Sequence, residues 1–126
     1  MSEFSAAVLA HFRNPRGAGR LPEDQPGTVC GEARDAEGGQ RVRLFLRIGA
    51  GDRIERARFQ AFGCPIAIAA ASAAVARFEG SSVSDALALR ADDLARELAL
   101  EPEQSRLAAL PLQALRDGLA YLRARA

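Results

Sequence analysis

Two cysteines and one histidine are the side chains with the widest chemistry in this chain. Cys64 lies in Gly63-Cys64-Pro65, where an amphipathic strand pattern changes to an alanine-rich helical pattern. Proline suits the first turn of a helix because its missing N–H would have no partner there, so this order predicts that Cys64 is the N-cap. Unpaired N–H groups and the positive end of the helix dipole favour a thiolate, which attacks electrophiles and binds metal ions. Cys64 is therefore the first candidate site residue, and a small buried side chain that only packs is the alternative.

Cys30 and His11 have weaker local patterns. Cys30 follows Thr28 and Val29 in a short predicted strand and precedes a glycine-rich connection over residues 31–39, which makes it a second, weaker candidate metal ligand. His11 falls beside the apolar face of a predicted helix over residues 2–12, where we expect it to pack and form a hydrogen bond rather than bind a metal. No Cys-x-x-Cys motif is present, and the only histidine is far from Cys64 in sequence, so the sequence indicates no general base for this thiol.

The composition is that of an ordinary globular protein. We expect one domain over residues 1–126, because this length can form a core without disulfide or metal staples. A net charge of +1 gives no general attraction to nucleic acid or anionic membranes. All 17 basic residues are arginine, which excludes lysine Schiff-base chemistry. Without a signal pattern or a membrane-spanning apolar run, we expect a cytoplasmic protein whose cysteines stay thiols.

Residues 41–61 read as an antiparallel hairpin. Apolar side chains alternate with polar ones on both sides of the turn at residues 49–52, at Val42, Leu44, Leu46, Ile48, Ala57, Phe59 and Ala61. The opposite face carries five arginines, Arg41, Arg43, Arg47, Arg56 and Arg58. Because Asp52 and Glu55 are interleaved and only Phe45 offers a stacking surface, we expect this face to be solvated or to dock an acidic protein, and not to bind nucleic acid.

The rest of the chain is predicted to be helical. The alanine-rich helix ends near Gly80, and shorter helices follow at residues 82–89, capped by Ser82, at residues 93–98, capped by Asp92, and at residues 105–110. A last helix starts near Pro111 and buries Leu112, Leu115, Leu119 and Leu122. The whole pattern predicts an α+β fold with a small antiparallel three-stranded sheet and helices packed on one face.

Several segments resemble the NifU N-terminal, IscU-type family of iron-sulfur cluster assembly scaffolds. They are His11-Phe12-Arg13-Asn14-Pro15-Arg16, the run from Ile54 to Cys64 with its Ala57-Arg58-Phe59 and Gly63-Cys64 motifs, and Ala67-Ile68-Ala69-Ala70-Ala71-Ser72. The spacing from Gly80 to Leu98 also matches, and the resemblance covers nearly the whole chain. It implies the same α+β fold.

The resemblance also implies a function. Members of this family assemble iron and sulfide into a [2Fe-2S] cluster, receive sulfur as persulfide from a cysteine desulfurase, and pass the cluster to apo-protein acceptors. Their site has three cysteines, an aspartate two residues after the first cysteine, and often a histidine before the third. In this chain those positions hold Gly38, Gln40, Arg106 and Leu107, and only Cys64 keeps its ligand type. The co-chaperone recognition segment matches residues 100–104 only in part.

Three hypotheses follow from this altered ligand set. The first is a scaffold or carrier that binds iron or a [2Fe-2S] cluster through Cys64, with help from Cys30 and with zinc as a substitute metal. Outside ligands would then come from a second chain or from glutathione. The second is a ligand-depleted member that regulates the assembly machinery by binding proteins. The third is a thiol enzyme, in which Cys64 acts as a nucleophile or persulfide carrier and Arg106 helps to hold the thiolate.

Overall fold

The described part of the chain forms three strands and five α-helices. The computed structural model describes residues 4–36 and 39–125, with side chains described to residue 120. The strands are β1 (Thr28–Arg34), β2 (Arg41–Ile48) and β3 (Ile54–Phe62). The helices are α1 (Ala6–Arg13), α2 (Pro65–Phe78), α3 (Val83–Ala88), α4 (Ala91–Glu97) and α5 (Leu110–Arg125), and 3₁₀ turns cover Ala50–Asp52 and Pro102–Ala109.

The strands form one antiparallel sheet in the order β1-β2-β3. The apolar side chains predicted on β2 are buried, and Val42, Leu44 and Leu46 are at most 1% exposed. They belong to one hydrophobic cluster with residues of α2 and α5, such as Ala70 and Leu115. The α+β prediction, with a three-stranded antiparallel sheet and packed helices, is confirmed.

Helix α2 lies at the centre of the core. Its alanines are fully buried at positions 67, 69, 70, 71, 73 and 74. Small side chains let this helix approach its neighbours closely, and it packs against α1, β3, α5 and the second 3₁₀ turn, Pro102–Ala109. We refer to this second turn as the 3₁₀ turn. Since β3 ends at Phe62 and α2 starts at Pro65, the central helix fixes where Cys64 stands.

Strand β1 is longer than predicted. The pattern indicated a strand at residues 28–30 followed by a loop, but the strand continues to Arg34 and includes Gly31. Glycine is needed at this point because α5 crosses here, and a Cβ on Gly31 would overlap the backbone at Ala114 and Gly118. The contact joins residues more than eighty positions apart, so local sequence misread the glycine as a loop residue.

The helix boundaries also needed correction. Helix α1 begins at Ala6 with Ser5 as its N-cap, later than the predicted start at Ser2, which lies outside the described residues. Asp92 does not cap α4, because the helix begins at Ala91 and the Asp93 carboxylate accepts the N–H of Arg90. The capping role of Ser82 is confirmed, since its Oγ accepts the N–H of Asp85 at 3.0 Å.

The last helix runs on from a turn rather than starting at proline. Residues 105–110 are mostly 3₁₀, and α5 begins at Leu110 with Pro111 in its first turn. Leu112, Leu115 and Leu119 are buried as predicted, and the side chain of Leu122 lies outside the described residues.

The sheet face turned away from α2 is not uniformly solvated. Phe45 is fully buried there, and Leu21 is only 7% exposed. The guanidinium carbon of Arg20 lies 5.6 Å from the centroid of the Phe45 ring. The segment before β1 therefore covers part of the face that the arginine pattern predicted to face water. Among the helices that the structure describes, none combines the length and hydropathy needed to cross a bilayer.

Candidate functional site

Cys64 is the N-cap of α2, as predicted. Its backbone is extended, with φ −78° and ψ 165°, and Pro65 takes the first helical position. The Cys64 carbonyl accepts hydrogen bonds from the N–H groups of Ala67 and Ile68. Its sulfur makes no capping hydrogen bond, and the residue is half-buried. The thiol is therefore fixed by its backbone at the edge of the core and not consumed by capping.

Gln40 holds the junction between β3 and α2. Its Oε1 accepts the backbone N–H of Cys64 at 2.6 Å. A Cβ on Gly63 would collide with the Gln40 side chain, and Gly63 has a φ of +137°, a conformation that glycine adopts easily. Gln40 thus stands beside Cys64, where the family resemblance places an aspartate. Its oxygen carries no full charge and already accepts one hydrogen bond.

An ion pair lies at the end of the hairpin formed by β1 and β2. Arg106 Nη1 lies 2.5 Å from Oδ2 of Asp35, whose side chain is only 13% exposed. Asp35 also donates its backbone N–H to the carbonyl of Gln40 at 2.8 Å. The charge of Arg106 is therefore met by a carboxylate, in contrast to the prediction that it helps to hold the Cys64 thiolate. We refer to Asp35, Gln40, Cys64 and Arg106 as the Cys64 site.

Sequence reasoning missed Asp35, because its partner lies 71 positions later in the chain. The only available signal was an acidic residue in the predicted glycine-rich connection, three residues before the family ligand position at Gly38. Of the remaining family positions, Leu107 belongs to the hydrophobic core and is 5% exposed. Gly38 lies outside the described residues.

Cys30 is not brought together with Cys64. It lies opposite Phe45, which in turn lies opposite Arg58, six residues before Cys64. Six extended residues cover about 20 Å, whereas two thiolates that share a metal lie roughly 4 Å apart. Cys30 shares its sheet face with Glu32, and burial, reinforced by the nearby Glu23 charge, raises the pKa of its thiol. This arrangement favours a neutral thiol at Cys30.

His11 packs and forms a hydrogen bond, as predicted. Its Nδ1 lies 2.8 Å from Oγ of the fully buried Ser72, and Oγ also accepts the N–H of Arg16 at 2.7 Å. Its Nε2 lies 3.7 Å from a carboxylate oxygen of Glu97. Ser72 is eight residues along α2 from Cys64, a rise of about 12 Å. The histidine therefore ties helices together and is not the base of a thiol pair.

The candidate ligand side chains within the described residues do not form a complete cluster site. A [2Fe-2S] cluster has four terminal ligand positions, usually filled by thiolates. In the part of the chain that the structure describes, no three side chains of His, Cys, Asp or Glu are grouped to hold a metal ion. Cys64 can supply one sulfur ligand, and Asp35 is engaged with Arg106. Any further ligands for a cluster would have to come from outside these residues.

Comparison with known proteins gives the relatives of the chain. The model of the NifU-like N terminal domain matches residues 3–126. The iron-sulfur cluster assembly scaffold protein IscU of Rickettsia prowazekii is 30% identical over 117 residues, which are 93% of this chain and 89% of that protein. Iron sulfur cluster assembly protein 1, mitochondrial, of Schizosaccharomyces pombe is also 30% identical, over 94% of this chain, and the match spans 62% of that protein.

A solved structure shares the fold. The N-terminal part of a nitrogen-fixing NifU-like protein from Brucella abortus superposes with a TM-score of 0.77 and 15% identity, over 97% of this chain and 95% of that one. The resemblance inferred from the Asn-Pro-Arg and Gly-Cys motifs is confirmed. With the family model matching nearly from end to end, the chain belongs to the NifU-like N-terminal domain family.

Proposed function

We propose that this protein is an iron-sulfur cluster assembly scaffold or carrier that holds its cargo at Cys64 and takes the other ligands from outside its own chain. One observation carries the proposal. Cys64 stands half-buried at the junction of β3 and α2, with its sulfur unused by capping, on a fold whose relatives include scaffold proteins named IscU. A thiolate is a soft ligand that suits both iron and sulfide chemistry.

The cargo is iron or a [2Fe-2S] cluster, and zinc can substitute for iron at a thiolate. In this proposal the sulfur comes from a cysteine desulfurase and the cluster passes to apo-protein acceptors. We place the protein in the cytoplasm as one domain over residues 1–126, without nucleic acid or membrane as a partner. Chaperone-assisted release is not part of the proposal, because residues 100–104 match the recognition segment only in part.

The residues around Cys64 position the thiol rather than ligate the cargo. Gln40 fixes the backbone N–H of Cys64, and Pro65 starts α2 directly behind it. The Asp35–Arg106 ion pair joins the β1–β2 hairpin to the 3₁₀ turn without a metal. The site can therefore stay ordered when empty and offer one sulfur. Two copies of the chain would offer two, and small thiols or a partner protein would supply the rest.

Anaerobic reconstitution with iron, sulfide and a small thiol tests the proposal. We expect the wild-type protein to develop visible absorption with bound iron and acid-labile sulfide, and Cys64→Ala to lose both. Cys30→Ala is the matched control and should retain them, because the strand register keeps Cys30 away from Cys64. A wild-type protein that never takes up stoichiometric iron and sulfide would overturn the proposal, as would equal loss in both variants.

A second candidate is a protein-binding regulator of the assembly machinery. It is favoured by the way structural roles occupy the ligand positions, since Arg106 is paired with Asp35 and Leu107 lies in the core. In this case a purified cysteine desulfurase should bind wild type and Cys64→Ala equally well, and neither should acquire a cluster.

If Cys64 instead carries persulfide, incubation with the desulfurase and cysteine should add one sulfur atom to wild type alone, as measured by mass spectrometry.

A further inference from the structure

A cavity lies directly beside the Cys64 site. Its volume is about 470 Å³, and its lining includes Arg34, Asp35, Gln40, Arg41 and Phe62. This volume falls within the range of small-molecule sites in proteins, roughly 300–1,000 Å³. The cavity is open to solvent at the end of the sheet where β2 begins and β3 ends.

One residue, Gln40, contacts both the cavity and the backbone of Cys64. Gln40 lines the cavity, and the same side chain accepts the N–H of Cys64 at 2.6 Å. Phe62 also lines the cavity, where it pairs with Arg41 across the sheet, and it is two residues before Cys64, a separation of about 7 Å along an extended chain. A molecule of tripeptide size held in the cavity can therefore bring one of its groups to the sulfur.

Arg41 gives the cavity a positive charge that forms no ion pair within the described residues. Its guanidinium carbon lies 4.6 Å from the centroid of the Phe62 ring. Among the described residues no carboxylate forms an ion pair with Arg41, and its Nε is buried without a hydrogen-bond partner. Stacking on a ring uses the face of the guanidinium and not its N–H groups, so the Nη groups of Arg41 remain the donors for an oxyanion.

The other described charges around the cavity do not offset the positive charge of Arg41. The carboxylate of Asp35 is neutralised by Arg106 at 2.5 Å. Arg34 is paired with Glu32 at 3.1 Å, but its side chain is 69% exposed and Glu32 also binds Arg43. Among the described residues, the lining therefore holds two guanidiniums and one carboxylate that is already paired, and this excess of positive charge favours an anion.

We propose that this cavity binds the carboxylate of a small, acidic thiol and presents its sulfur beside Cys64. Arginine binds carboxylates through paired, charge-assisted hydrogen bonds, which identifies the anionic end of the ligand. The thiol end follows from the shortage of sulfur ligands around Cys64, so this part of the inference rests on the proposed function. The bound molecule supplies one of the outside ligands without any covalent or redox step.

Titration of the metal-free, ¹⁵N-labelled protein tests the inference. Reduced glutathione is the probe, ophthalmic acid is its thiol-free analogue, and 2-mercaptoethanol is a thiol without a carboxylate. We expect the amide signals of Gln40, Arg41 and Cys64 to shift saturably with glutathione and with ophthalmic acid, and not with 2-mercaptoethanol. Inorganic phosphate should bind more weakly than glutathione, and the reverse order would overturn the carboxylate assignment.

Arg41→Gln should weaken glutathione binding by about tenfold, the loss expected for one charge-assisted contact. Arg56→Gln is the matched control, an exposed arginine on the neighbouring strand, and should leave binding unchanged. If Arg41→Gln does not fold, Arg34→Gln serves as the second variant and should also weaken binding. Absence of saturable shifts at millimolar glutathione, or equal loss in Arg56→Gln, would overturn the inference. Because no metal is present, a failed cluster reconstitution does not decide this outcome.

Discussion

At the scale of single residues, the candidate site is a thiol held by neighbours that are not metal ligands. Gln40 accepts the N–H of Cys64, where a family member would carry an aspartate, and Leu107 is part of the core. Each of these residues has a structural role in the fold. The chemistry of the site is therefore concentrated in one sulfur.

Gln40→Ala tests the positioning role of this amide. The substitution removes the acceptor of the Cys64 N–H and should lower the free energy of unfolding by about 1 kcal/mol, the usual net value of one hydrogen bond. Urea denaturation measures the change. Gln113→Ala is the control, because Gln113 is exposed on α5 and alanine favours helix, so no loss is expected there. Equal stability of Gln40→Ala and wild type would remove the proposed role.

Ionisation of the Cys30 thiol should lower the free energy of unfolding at high pH. Burial, reinforced by Glu23, raises the pKa of its thiol above the value in the unfolded chain, so the folded state holds the proton more tightly. Its contribution is complete below the unfolded pKa and is lost as pH rises through the folded pKa. The free energy of unfolding should therefore drop less between pH 8 and ~10 in Cys30→Ala than in wild type. Parallel curves for the two proteins would show that the thiol ionises equally in both states.

At the scale of elements, close packing between β1 and α5 fixes the sheet edge. Gly31 leaves room for the α5 backbone at Ala114 and Gly118. Asp117 on the same helix accepts the N–H of Glu32 at 2.9 Å, which satisfies a donor on the edge strand. The last helix thus covers the strand that carries Cys30.

Gly31→Ala should be strongly destabilising. Its Cβ would overlap backbone atoms of α5, which cannot move aside as a side chain can, and overpacking of this kind typically costs about 1–3 kcal/mol. Gly49→Ala is the matched control, since the nearest atoms to its Cβ would be those of the Glu55 side chain, which can change rotamer, and not backbone atoms. Thermal unfolding should separate the two variants, and a Gly31→Ala protein as stable as Gly49→Ala would contradict the close approach.

The Asp35–Arg106 ion pair links two elements that are far apart in sequence. A double-mutant cycle with Asp35→Ala and Arg106→Ala should give a coupling energy of about 1 kcal/mol, the upper part of the range for partly exposed pairs. Asp93 and Arg96 form a more exposed pair at 3.9 Å and should give a coupling near zero. Urea denaturation in low salt measures both cycles. A coupling no larger than that of the control pair would mean that the 3₁₀ turn is held by other contacts.

At the scale of the whole molecule, local patterns predicted the elements and the junction, while long-range contacts escaped them. Alternation at Val42, Leu44 and Leu46 indicated a half-buried strand, and Gly63-Cys64-Pro65 indicated the start of α2. Both signals lie within a few residues. The strand role of Gly31 depends on α5, and the burial of Phe45 on its outward face depends on residues before β1.

In the candidate site, too, local patterns predicted some features and missed those that depend on long-range contacts. Cys64 as an N-cap and His11 as a packed, hydrogen-bonded residue were predictable from their neighbours. The Asp35–Arg106 pair and the separation of Cys30 from Cys64 follow from strand register and from the path of the 3₁₀ turn, which no local pattern encodes. The family resemblance placed Gln40 and Arg106 near the site but gave no account of what they hold.

Native mass spectrometry of the anaerobically reconstituted protein tests most directly whether Cys64 relies on ligands from outside the chain. We expect every cluster-bearing species to contain either two copies of the chain or one chain with added thiol molecules, and we expect Cys64→Ala to give none. A single wild-type chain that carries a [2Fe-2S] cluster without any added ligand would contradict this account.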